Sequence, residues 1–163
     1  MLMAVWFWIL IVLILGFIAF AQPEQVAQGP HVARVTVVTE EWQPVTIGQV
    51  EGVILTPDDA PLLVDTLGLD LDGDAYWRPS VADVEAAELA LSDRAGELDH
   101  DRQYAGYIED GSRKIYINGF CDASGGDWRE RPVIVQDGGD CFFTAIYNVD
   151  AGELERFRFN GEA

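Results

Sequence analysis

Residues 1–21, MLMAVWFWILIVLILGFIAFA, carry no charged side chain, and all 10 basic and 28 acidic side chains of the 163-residue chain fall after them. As a helix, 21 apolar residues at about 1.5 Å each span about 30 Å, the thickness of a bilayer's hydrocarbon core. No polar stripe interrupts the run, so a core helix is a poor description of it. Two readings stay open. A retained anchor suits a run longer than a signal peptide's apolar region, with Trp6 and Trp8 near one end. A cleaved signal peptide suits Ala19-Phe20-Ala21, a small-x-small cleavage pattern ending at Ala21. Either way, about 142 residues remain, enough for one ordinary domain.

Residues 22–30 (QPEQVAQGP) are polar, with Pro and Gly, and read as a linker. The expected organisation is therefore a membrane anchor or signal peptide at 1–21, a linker at 22–30, and an extracytoplasmic α+β domain at 31–163. A net charge of −18 repels nucleic acid and anionic membrane surfaces, which leaves residues 1–21 as the membrane contact. A protein or small-molecule partner is expected, without a stated identity. The same charge would select a basic or cationic partner, or would reflect a saline habitat. Flanking Lys and Arg are missing, so orientation is not readable from charge. The cysteine pair favours the outside of the cytoplasm.

Within the domain, residues 31–39 (HVARVTVVT) and 45–55 (VTIGQVEGVIL) read as strands, the second bent at Gly48 and Gly52. Residues 60–68 fit a short helix or a strand. Ser80, with Asp83 three residues on, forms a shortened capping box for a helix from Val81 to about Arg94. Strands follow at 102–109 and 112–121, joined by an Asp110-Gly111 hairpin turn. Further strands are expected at 132–136, 141–149 and 154–159, with Asp137 to Asp140 as a tight turn. The fold class is α+β: one helix packed on a curled antiparallel sheet of about four to six strands. Cystatins and nuclear-transport-factor-like proteins share that architecture by analogy, and fold does not carry function.

Cys121 ends one expected strand and Cys141 begins another. A disulfide between them is expected, worth roughly 3 kcal/mol by loop closure. A reactive thiol would need a cation or base nearby, and the local charges are mostly acidic.

Carboxylates are the only chemical groups with local density. Asp70, Asp72 and Asp74 alternate as in the first half of a calcium loop, but Ala75 and Val81 stand where that loop wants Gly and Glu. Asp137 and Asp140 flank two glycines, with Asp122 and Asp127 in the preceding loop. Such a turn could aim carboxylates at calcium or form an acid–base pair, or the Asp side chains could simply bond their own backbone. Tyr104, Tyr116 and Asn118 are expected on a ligand or partner face, since alternation sends one aromatic set away from the helix. Lys114, the only lysine, reads as protection of a sheet edge. His100 lacks a second metal ligand and reads as a solvated loop residue. No HExxH, GxSxG, P-loop or GxGxxG motif is present, so those enzyme classes have no support, and no cofactor is implied beyond calcium.

Several elements of the C-terminal half form a pattern. They are Tyr76 to Ser80, Gln103 to Gly106, Ile115-Tyr116-Ile117-Asn118-Gly119-Phe120-Cys121, Trp128, Asp137-Gly138-Gly139-Asp140-Cys141-Phe142-Phe143 and the terminal Asn160-Gly161-Glu162-Ala163. In these the chain resembles a group of uncharacterised exported bacterial proteins. The likeness spans roughly residues 76–163 and implies export and a small α+β domain. It implies no mechanism, and no catalytic residue is carried over from it. Three functional expectations follow: an exported or membrane-tethered binding domain without catalytic machinery, a divalent-cation-dependent domain or enzyme using Asp137 and Asp140, and a cystatin-like protease inhibitor.

Overall fold

The computed structural model describes residues 41–71, 75–121, 126–135 and 137–161. The expected anchor or signal segment, the linker, the strand at 31–39, and Asp72, Asp74 and Asp122 lie outside these residues. Among the described residues, no helix is long and apolar enough to cross a membrane. The elements, in order, are β1 (Gln43–Ile47), β2 (Val50–Ile54), α1 (Pro61–Val64) running into a 3-10 turn (Asp65–Leu67), β3 (Tyr76–Trp77), α2 (Val81–Ala95), β4 (Asp101–Glu109), β5 (Ser112–Phe120), β6 (Gly139–Asn148) and β7 (Glu153–Asn160). The protein is α+β, with one seven-stranded sheet and two short helices.

The sheet runs β1-β2-β4-β5-β6-β7, and β3 pairs with β4 off that path. Residues 45–55, expected as one bent strand, are instead most of the β1–β2 hairpin. Gly48 has φ of 63° and shares the two-residue turn with Gln49, so a glycine at the first turn position reverses the chain where a bend was expected. The sheet is also not wholly antiparallel, because β2 runs parallel to β4. Both helices lie in the connection between those strands, and a long crossover of that kind is what parallel pairing requires. Asp110 and Gly111, with φ of 52° and 76°, make the expected β4–β5 turn and set its register from Asp101↔Phe120 to Glu109↔Ser112.

Ser80 caps α2 as expected. Its hydroxyl accepts from the Asp83 amide while the Asp83 carboxylate accepts from the Ser80 amide. The apolar stripe of α2 (Val84, Ala87, Leu91) packs against Ile54, Tyr104, Ile115, Ile117, Phe143 and Ala145 on the first face of the sheet. Gly119 lies opposite Phe143 in the β5–β6 register, and a Cβ there would collide with the Phe143 ring. Alternation left the second face open to either core packing or a ligand or partner, and most of it is not left for a partner. Instead, Val53, Leu55, Ala105, Tyr107, Tyr116, Phe120 and Ile146 pack under Leu63 and Val64 of α1 and under Trp128. Burial on both faces explains why the middle strands read as nearly continuous apolar runs.

Residues 132–136 do not form the expected strand. Residues 132–135 are irregular, and position 136 lies outside the described residues. Pro132 has no N–H for a ladder, and side-chain amides take the backbone groups of this segment instead. The tight turn expected at 137–140 therefore joins no pair of strands. Gly139 and Asp140 already belong to β6, and the amides of Gly138 and Gly139 donate to the carbonyls of Asn160 and Gly161.

Candidate functional site

Four polar residues stand in register across the second face. Gln103 of β4 pairs with Asn118 of β5, Asn118 with Thr144 of β6, and Thr144 with Arg158 of β7. Alternation puts them on one face, and the antiparallel registers place them in a row perpendicular to the strands.

The inner half of that row holds a wall. Gln103 is fully buried and uses its whole amide. Its Nε2 donates to the carbonyls of Trp128 (2.6 Å) and Arg131 (2.7 Å), and its Oε1 accepts from the Val133 amide (2.8 Å) and Asn118 Nδ2 (3.3 Å). Asn118 Nδ2 also donates to the Val133 carbonyl at 2.6 Å, and Asn160 Nδ2 donates to the Val135 carbonyl at 2.7 Å. Buried backbone groups need partners whether or not a strand supplies them. Here three side-chain amides hold residues 128–135 over the sheet.

The outer half of the row is left open. A cleft of about 390 Å³ lies between Leu63 and Thr66, the sheet residues Tyr116, Asn118, Thr144 and Arg158, the wall Val133–Val135, and Phe159 to Gly161. That volume falls in the range of small-molecule sites. None of these lining residues is acidic, in a chain with 28 acidic side chains. Arg158 Nε donates to Thr144 Oγ1 at 3.2 Å. Its terminal nitrogens have no hydrogen-bond partner, and no carboxylate lies within 4.0 Å of it, among the described residues. The Tyr116 hydroxyl lies 3.5 Å from Thr66 Oγ1. Burial raises its pKa against the opposing effects of that contact and of the Arg158 charge, so it is a neutral hydroxyl at physiological pH.

Of the residues expected on a ligand face, Tyr116 and Asn118 meet in this cleft and Tyr104 does not. Tyr104 lies on the first face, where its hydroxyl donates to Glu88 Oε1 at 2.9 Å. Burial, then the Glu88 charge, pushes its pKa well up. The same carboxylate pairs with Arg102 at 3.3 Å, and the Arg102 guanidinium lies over the Phe143 ring. These buried charges tie α2 to the sheet.

Asp137 and Asp140 are exposed, as is Asp70. Among the described residues, no three His, Cys, Asp or Glu side chains come together in a way that could hold a metal ion. Lys114 is not at a sheet edge. It is largely buried on a middle strand and pairs with Glu109 and Glu155, each at 2.8 Å. His100 is half-buried and not loosely solvated, with Nε2 3.0 Å from the Asp140 carbonyl and 3.6 Å from Cys121 Sγ. Cys121 and Cys141 form the expected disulfide, opposite each other at the ends of β5 and β6 with Cα atoms 5.1 Å apart.

Gln103, Thr144 and Arg158 were not among the expected site residues. One signal was available: counting back equally from the Asp110-Gly111 turn sets Gln103 opposite Asn118 and Tyr104 opposite Ile117. Comparison with protein-family models, curated proteins and solved structures finds no match.

Proposed function

We propose that this chain is an exported or membrane-tethered α+β binding domain, and that the cleft beside Arg158 is its ligand site. The cleft itself carries the reading: a concave space of about 390 Å³ in which an aliphatic side (Leu63, Val133, Ile134, Val135) faces convergent polar groups (Tyr116, Asn118, Thr144, Arg158). The amide clamp supports it, because three side chains hold an irregular wall over the sheet where a paired strand would lie flat. The Cys121–Cys141 disulfide is compatible with a place outside the cytoplasm. A sheet curled around one helix, as in cystatins and nuclear-transport-factor-like proteins, is our finer reading of the architecture. It is supported by α2 contacting β1 and β7, the two margins of the sheet.

A small-molecule panel of mixed charge, screened by ligand-observed NMR on the full chain in lipid nanodiscs, tests the proposal. Thr66 is exposed at the cleft, so Thr66→Trp should fill the space without disturbing the core. Hits that vanish in Thr66→Trp and in Ile134→Trp support the ligand site. Hits indifferent to both substitutions, or an empty screen, would remove it.

A further inference from the structure

We infer that the ligand is a small monocarboxylate with an apolar body, anchored by Arg158; the inference rests on the cleft being a ligand site. The first support is charge. The molecule carries −18, yet among the described residues none that lines the cleft is acidic, and one brings a guanidinium. That makes the cleft a local exception in a field that repels anions elsewhere on the surface.

The second support is unused bonding capacity. Arg158 Nε is held by Thr144 Oγ1, which fixes the plane of the guanidinium. Both terminal nitrogens lack a partner among the described residues, and their parallel N–H groups match a carboxylate's two oxygens. Arg102, Arg113 and Arg129 pair with Glu88, Asp150 and Glu51, and of the exposed arginines without an ion pair among the described residues (Arg94, Arg131, Arg156 and Arg158) Arg158 is the one that lines the cleft. The third support is the count of charges. A single guanidinium balances one negative charge, so a phosphate dianion would keep one charge uncompensated in the field of a strongly acidic protein. The apolar body follows from Leu63, Val133, Ile134 and Val135, with Ile134 54% exposed for want of a neighbour.

Arg158 lies on an exposed margin strand, so its substitution leaves the core untouched. The probes are hexanoate, hexanamide, hexylamine and inorganic phosphate, titrated by saturation-transfer NMR against the full chain in nanodiscs, with empty nanodiscs subtracted. Hexanoate should bind at least about tenfold more tightly than hexanamide, and Arg158→Gln should remove that preference by bringing hexanoate down to the level of hexanamide. Arg158→Lys should restore it only in part, because the fork is lost. Hexanoate binding should also weaken as salt rises. Equal binding of hexanoate and hexanamide, both lost in Thr66→Trp, would overturn the carboxylate assignment and leave the ligand site standing. So would preference for hexylamine or phosphate. Absence of hexanoate binding would overturn the assignment, and binding of every probe indifferent to Thr66→Trp would overturn the ligand site with it.

Discussion

Replacing Gln103 by Leu keeps the bulk of the side chain and removes its amide. Three backbone groups then lose their partner: the carbonyls of Trp128 and Arg131 and the amide of Val133. The Trp128 bond is buried, and losing it costs up to about 3 kcal/mol, while the two part-buried groups cost about 1 kcal/mol each because water reaches them. We expect a loss of about 3–5 kcal/mol, a large share of the stability of an ordinary domain. Urea unfolding of the full chain, followed by tryptophan fluorescence, measures it. Hydrogen exchange adds a local readout, since the Val133 amide should lose its protection even under conditions where β4 to β7 keep theirs. The companion variant Gln103→Glu puts a carboxyl where two carbonyls expect a donor. Burial raises the pKa of such a carboxyl, so this variant should gain stability as pH falls, because the folded form then binds the extra proton. A loss below about 1 kcal/mol in Gln103→Leu, with Val133 exchange unchanged, would refute the clamp.

Glu88→Ala should cost about 3–5 kcal/mol in the same unfolding assay, because it strands the 1%-exposed Arg102 side chain and removes the acceptor of the Tyr104 hydroxyl. Replacing Cys121 and Cys141 together by Ala should cost roughly 3 kcal/mol and shift the thermal midpoint down, with reduction of the wild type giving the same loss. Lys114→Met tests the pH dependence of the pair with Glu155. Hydrogen bonds from Lys114 and then Asn148 hold the Glu155 carboxyl below its ordinary 4.5, and burial works against the Lys114 charge while hydrogen bonds to Glu109 and Glu155 outweigh it and raise its pKa. The stability gap between wild type and variant should therefore be full between pH 4.5 and 10.5. It should shrink below that window as Glu155 protonates, and above it as Lys114 loses its proton. A gap that does not change with pH would show that the pair contributes through packing alone.

The helix from Val81 was legible because its signals are local: a capping box at Ser80 and Asp83 and a stripe of small apolar residues. The Asp110-Gly111 turn was legible for the same reason, and it implied more than one hairpin. An antiparallel turn fixes which residues face together, so Tyr104 had to share a face with Ile117 and oppose Tyr116. Grouping Tyr104 with Tyr116 and Asn118 ignored that register. The parallel β2–β4 pair had no local signal, since nothing within residues 50–54 says which distant strand they will meet. The strand expected at 132–136 failed for a different reason. Its β-branched residues have the right propensity, but propensity describes a fit to a pleated neighbour, and here the neighbours are the side chains of Gln103, Asn118 and Asn160.

That failure is also why there is a cleft. Had residues 132–136 paired as a strand, their carbonyls and amides would have been satisfied by a ladder, and the row from Gln103 to Arg158 would have had no backbone to hold. Pro132 removes one ladder donor, and the amides of the row take up the segment that results. The row is then used unevenly. Its inner members, Gln103 and Asn118, spend their donors on the wall, whereas Arg158 at the margin strand spends only Nε, and spends it on Thr144. A residue whose task was to fix the wall would have its donors aimed inward, as Gln103 does. Arg158 sits at the same register with its terminal donors open beside Val133 to Val135. On the proposed reading the row passes from scaffold at β4 to recognition at β7, and Gln103→Leu and Arg158→Gln separate the two. The first should lower stability and ligand affinity together, because it releases the wall, and the second should lower affinity alone.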